Sequence, residues 1–162
     1  MNILEPILNH RSIRRYKNTP IPAHIIQSIL DAAIRGSNTG NMQLYSIIVT
    51  QDAAKKEALL PCHFKQSMIL EAPLVLTFCA DVHRFNKWCE ARNATPHYNN
   101  FLWYTNACID AVIAAQNAAI AAEAHDLGIC YLGTTTYMAD KIIEVLQLPH
   151  GVIPITTLVV GY

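Results

Sequence analysis

Residues 107–133 read ACIDAVIAAQNAAIAAEAHDLGICYLG. Alanine dominates the first part, and only Asp110, Gln116, Asn117 and Glu123 break its apolar run. The pattern predicts one long helix from about Phe101 to Asp126, stopped at Gly128, and then a strand over 129–133. At about 100° per residue, Asp110 and Asn117 fall on one line of that helix and Gln116 and Glu123 on another. Both remaining arcs are apolar and largely alanine. A helix with two separate apolar faces is buried on two sides. The sheet of its own subunit covers one arc. A second copy of the chain covers the other, unless the helix runs through the middle of a monomer. At this chain length a dimer is the expectation.

Outward from this stretch, the chain reads as one domain over 1–162. It is 52% hydrophobic and 15% charged, with a formal net charge of +0. That balance argues against nucleic acid, which draws basic chains. The four polar residues inside the long apolar helix argue against a membrane span. The five cysteines, at 62, 79, 89, 108 and 130, form no CxxC pair. They read as buried apolar residues in a reducing compartment, and with no signal peptide visible the expected location is the cytoplasm.

The other elements follow from periodicity and punctuation. Asn2–Asn9 reads as a short helix, and Ala23–Arg35 as an amphipathic one between Pro22 and Gly36. Strands are expected at 44–50, 73–80 and 155–160. Further helices are expected at 52–60, 65–70, from an Asp81 cap to about Arg92, and within 136–146. Residues 91–100 read as an exposed connection.

Three short pieces carry candidate chemistry. HRSIRRY (10–16) concentrates arginine beside Ser12 in an otherwise sparsely charged chain. Alternation in an extended segment sends His10, Ser12 and Arg14 one way and Arg11, Ile13 and Arg15 the other, unless a turn merges the two sets. Arginine forks match phosphate oxygens, so a phosphomonoester is one reading and a solvated basic segment the other. In GNMQLY (40–45), Asn41 and Gln43 could read the N–H and C=O edge of a heterocycle, or could simply form a turn. In ICYLGT (129–134), Gly133 lets a flat ligand approach the backbone, or merely ends a strand. No metal, nucleophile or acid–base motif appears.

The order of these pieces resembles the nitroreductase superfamily of FMN-dependent reductases along essentially the whole chain. HRSIRRYKNTPIP is similar to the family's opening signature, and RGSNTGNMQLYSIIV to its second block. QSMILEAPLVLTFCAD, AAQNAAIAAEAHDLGICYLGT and LPHGVIPITTLVVGY follow in the family's order. The HRS form and the AQNA–AAE helix resemble the branch of NADPH-type flavin reductases and oxygen-insensitive nitroreductases. The resemblance implies an α+β fold, with a mixed central sheet flanked by helices, in an intertwined homodimer with two FMN sites at the interface. It implies that His10, Arg11, Ser12 and Arg14 hold FMN. It also implies that Asn41 and Gln43 read the isoalloxazine edge, that Gln66 lies near the ring, and that Tyr131, Leu132 and Gly133 pass beside it.

Under that resemblance the flavin performs the chemistry and no catalytic side chain is expected. Arg14 stands as the electrostatic stabiliser. NAD(P)H is the co-substrate, and nitroaromatics, quinones or flavins are the small-molecule acceptors of a ping-pong cycle. Two departures stand out. Gln43-Leu44-Tyr45 replaces a common Gln-Pro-Trp, and the sequence stops at Tyr162, before the basic segment that completes the family's phosphate site. The short end then reads as a naturally short form, a trimmed sequence or reduced FMN affinity. A non-catalytic flavin- or nucleotide-binding dimer is the alternative function, and a phosphate-recognising module built on HRSIRRY a third reading.

Overall fold

A computed structural model describes residues 4–97 and 99–162. The four strands are β1 (Tyr45–Thr50), β2 (Leu74–Asp81), β3 (Gly128–Leu132) and β4 (Val152–Gly161). They form one sheet in the order β1-β2-β4-β3, and every neighbouring pair is antiparallel. The sheet is mixed only through a parallel bridge between Ser12 and Ile129 on the outer edge of β3. The first two residues of the expected N-terminal helix, and Tyr98 in the 91–100 connection, lie outside the described residues.

Helices cover both faces of the sheet. On one face lie α2 (Ala23–Ala33) and the long α6 (Phe101–Ala124), against Leu74, Leu76, Phe78, Leu158 and Val160. On the other lie α3 (Ala53–Leu59), α4 (Met68–Glu71) and α7 (Ala139–Leu146), against Val75, Cys130, Leu132 and Val159. The alternation of Leu74, Val75 and Leu76 between these two layers is the two-residue period of a strand. α1 (Glu5–Leu8) and α5 (His83–Ala91) complete the set. The Asp81 cap is present: its Oδ1 accepts from the Arg84 N–H at 2.9 Å, although Asp81 itself ends β2.

β4 is longer than its sequence suggested. It begins at Val152, because Ile155 is an extra residue in the register between the pairs Phe78–Thr156 and Cys79–Pro154. A proline is tolerated there because β3 has already stopped at the Leu132–Thr157 pair, which leaves Pro154 facing no strand on that side.

α6 corrects the sequence reading in one respect. Both alanine arcs are covered within a single chain, one by the sheet and the other by α2. Asn117 Nδ2 donates to the Ala32 carbonyl at 3.2 Å across that second contact. The face left open runs along the Gln116 line instead, with Phe101, Leu102, Ile109 and Val112 all at least half exposed. α6 is long and apolar enough to cross a membrane by composition, but its buried alanines pack it as the core helix of this fold.

The N-terminal segment reaches the sheet through a gap left by a glycine. A Cβ on Gly128 would stand 2.8 Å from the Ile13 side chain. Gly128→Ala therefore forces Ile13 outward and is expected to cost about 1–3 kcal/mol. Urea denaturation checks this, and an unchanged midpoint would contradict it.

Candidate functional site

The basic segment is an irregular extended stretch that joins the outer edge of β3 by one parallel bridge. Ile13 N–H donates to the Ile129 carbonyl at 2.8 Å, and Lys17 N–H to that of Tyr162 at 2.8 Å. The Tyr16 hydroxyl, held protonated by burial that pushes its pKa up, donates to the Ile13 carbonyl at 2.6 Å. The charged side chains are distributed, not pooled. His10 Nδ1 donates to Glu123 Oε1 at 2.7 Å, and Arg15 pairs with Glu71 at 3.2 Å. Arg11 lines a cleft of about 620 Å³ beside Ile13, together with Glu5, Glu123 and Asp126. A phosphate there would meet three carboxylates, so this cleft is a poor anion site despite its size. Arg14 is exposed and makes no ion pair among the described residues. Arg11 lines the acidic cleft and Arg14 does not, but the strict alternation is not kept: His10 reaches Glu123 of that same cleft, while Arg15 pairs with Glu71 on α4; Ser12 and Arg14 are exposed.

The end of β3 forms a braced turn. Leu132 is buried in the layer with α7, so only its backbone is available to a ligand. Tyr131 is turned toward α6, its hydroxyl 3.5 Å from Gln116 Oε1. Gly133 is exposed, and a Cβ built on it would meet nothing within 4 Å. Below it, Thr135 Oγ1 donates to the Leu132 carbonyl at 2.9 Å. The Thr134 hydroxyl lies 2.9 Å from Nδ1 of the fully buried His63. The His63 carbonyl in turn accepts from Gln66 N–H at 3.1 Å. His63 therefore clips the loop carrying Gln66 to the Tyr131–Gly133 strand end.

Asn41 and Gln43 sit elsewhere. Their loop enters β1, on the opposite edge of the sheet from β3. Three strand spacings separate the two edges, about 14 Å, and the starting level of Tyr45 lies three residues, about 10 Å, beyond that of Leu132. Gly40, Asn41 and Gln43 all have positive φ, at 57°, 56° and 51°. Asn38 Oδ1 accepts from Gln43 N–H at 3.2 Å, and Arg84 donates to the Gln43 carbonyl. The Asn41 and Gln43 side chains face solvent.

The sequence-derived residues thus fall into two groups. Ser12, Arg14, Gln66 and the Tyr131–Gly133 backbone share one edge; Asn41 and Gln43 hold the far corner. Gln66, Gly133, Asn41 and Gln43 line neither the acidic cleft nor the apolar one of about 350 Å³ near Tyr104. Sequence reasoning missed His63, which was one of seven scattered histidines. It also missed the role of Asp110, whose only signal was a carboxylate inside an apolar helix.

His63 gives a pH test. Burial lowers its pKa from 6.5 to about 4. The unfolded chain binds the proton first, so this contribution is complete above pH 6.5 and drains as pH falls toward 4, by about 2–3 kcal/mol. His63→Asn cannot titrate, and its stability should fall less between pH 7 and pH 4.5 than that of wild type in chemical denaturation. Parallel losses in the two proteins would contradict this.

Residues 7–162 match the model of the Nitroreductase family. An FMN reductase (NADPH) of Bacillus subtilis is 38% identical over 165 residues, covering 99% of this chain and 66% of its own. An oxygen-insensitive NADPH nitroreductase of Salmonella typhimurium is 31% identical, covering 98% and 65%. A solved Bacteroides fragilis structure is 50% identical, with a TM-score of 0.96 over 98% of this chain and 64% of its own. The chain spans just under two thirds of the length of these relatives. With the family match covering nearly all of it and the fold superposing so closely, the chain belongs to the nitroreductase family.

Proposed function

We propose that the chain is an FMN-dependent NAD(P)H oxidoreductase, acting as a homodimer on nitroaromatics, quinones or flavins in the cytoplasm. The observation that carries the reading is the open backbone at Gly133. It is a rigid turn with nothing over it, placed beside the Gln66 loop and on the edge strand that the Ser12–Arg14 segment joins. A planar ring can lie against such a surface without displacing a side chain. The names of the relatives supply the ligand class: FMN and NADPH.

The residues present fit FMN. Ser12 would hold the phosphate, and Arg14 would supply a cation at the pyrimidine end. His10 and Arg11 are left out, because both stand beside carboxylates of the acidic cleft. Gln66 and the Tyr131–Gly133 backbone would flank the ring. When bound, FMN accepts hydride from a nicotinamide and passes reducing equivalents to an electron-poor acceptor. The protein needs no acid–base pair for this. Its work is to orient the ring, to keep one face free and to neutralise charge near N1 and O2.

A single chain leaves this site open, and the distant Asn41 and Gln43 complete it only from a second copy. The exposed α6 stripe of Phe101, Leu102, Ile109 and Val112 offers the surface for that copy. Val112→Asp should therefore yield monomers in sedimentation velocity, and a dimer that is unaffected would count against this surface.

Purified protein tests the whole reading. A yellow preparation bleached anaerobically by NAD(P)H supports it. A yellow preparation that NAD(P)H leaves unbleached indicates a non-catalytic flavin-binding dimer, and a colourless protein that takes up no FMN refutes both. Gly133→Ala should fold without loss of thermal stability, since its Cβ meets nothing, yet lose at least tenfold in FMN affinity; unaltered affinity would move the ring elsewhere. Arg14→Ala should lower the flavin potential by about 30–60 mV, the equivalent of one charged contact of about 1.5–3 kcal/mol. An unchanged potential would remove Arg14 from this role.

A further inference from the structure

Asp110 is only 1% exposed, on the α6 turn that also presents Ile109 and Val112 outward. Its carboxylate takes three donors from one loop. Thr39 N–H donates to Oδ1 at 2.8 Å and the Thr39 hydroxyl to the same oxygen at 3.1 Å. Leu44 N–H donates to Oδ2 at 3.1 Å. These contacts grip the loop at both ends, and between them Gly40, Asn41 and Gln43 occupy the left-handed region. Non-glycine residues stay there only when their surroundings hold them. None of these three bonds restrains the Asn41 or Gln43 side chain. They fix the backbone from which two exposed amides project.

We propose that Asp110 is a positioning residue that sets Asn41 and Gln43 for the flavin site of the opposite subunit. This rests on the shared-site reading above. Within one chain the loop lies on the wrong edge of the sheet for its own Arg14 and Gly133, so the carboxylate serves a ring that its own subunit does not otherwise hold. The same helix turn that meets the second copy therefore registers the loop that reaches across. Asparagine at 110 accepts on one side only, and its NH2 would face an N–H of Thr39 or Leu44, so the loop loses one of its two fixed ends.

The test uses mixed dimers, co-expressed with two affinity tags and titrated with FMN. Asp110→Asn and Arg14→Ala homodimers should each bind FMN at least tenfold more weakly than wild type. A mixed dimer of the two concentrates both defects in one site and leaves the other intact. It should bind one FMN per dimer with wild-type affinity and be bleached by NAD(P)H. A defect confined to the fold of the Asp110→Asn subunit would not be rescued in this way. The control pairs Arg14→Ala with the double variant Asn41→Ala/Gln43→Ala. If the control regains one tight site and the Asp110→Asn mixture does not, the assignment of Asp110 is overturned and the shared site stands. If the control regains none, the shared-site reading fails and this inference falls with it. Should Asp110→Asn not fold, Thr39→Val removes one of the three donors from the loop side. It should weaken FMN about three- to tenfold as a homodimer and be rescued in the same mixture; failure to recover in that mixture would overturn the proposal.

Discussion

The buried alanines of α6, from Ala107 to Ala122, let the helix axis lie close to the sheet on one side and to α2 on the other. Three parts of the candidate site are hung from that helix. Asp110 holds the loop of Asn41 and Gln43. Gln116 and Glu123 receive Tyr131 and His10 from the opposite edge of the sheet. At 1.5 Å per residue, Asp110 and Glu123 lie about 20 Å apart along the axis. The helix therefore spaces the two half-sites apart as firmly as the strand order does. A larger side chain at a buried alanine would lift both anchors together, because it would move the axis itself.

On the proposed function, this arrangement would let the fold support redox chemistry without a catalytic side chain. A flavin needs a flat, braced surface, a cation and oriented amides, and these are contacts that backbone geometry can supply. The turn after β3 is braced from below by Thr135 and by the His63–Thr134 contact, while its upper surface at Gly133 carries no side chain. On the proposed shared site, placing the amides on another edge would make cofactor binding depend on association.

Much of this was legible in the residues. The strands at 44–50 and 73–80, the Asp81 cap and the long helix follow from local chemistry that tertiary structure did not override. The alternation along 10–15 is kept only in part: Ile13 packs against Gly128, but His10 joins Arg11's cleft through Glu123 and Arg15 leaves it for Glu71. The start of β4 was hidden because Pro154 normally bars an inner strand, and only the bulge at Ile155 with the short length of β3 permits it. The faces of α6 were misassigned because alanine marks close approach without naming the partner; α2 took the arc expected for a second copy. Leu132 read as a ligand contact, but its side chain is core, since a strand residue's face is decided by register that one sequence does not reveal. His63 and Asp110 act through partners 71 and 66–71 residues away in the chain, a separation no local pattern encodes.

The central claim is that the complete FMN site exists only between two chains. It is tested most directly by measuring FMN affinity as the protein is diluted through its own dimerisation range, with sedimentation equilibrium on the same samples. The account predicts that tight binding disappears as the dimer dissociates, and that saturating FMN shifts the dimerisation constant toward the dimer by an equivalent factor. A monomer that retains the dimer's FMN affinity would contradict it.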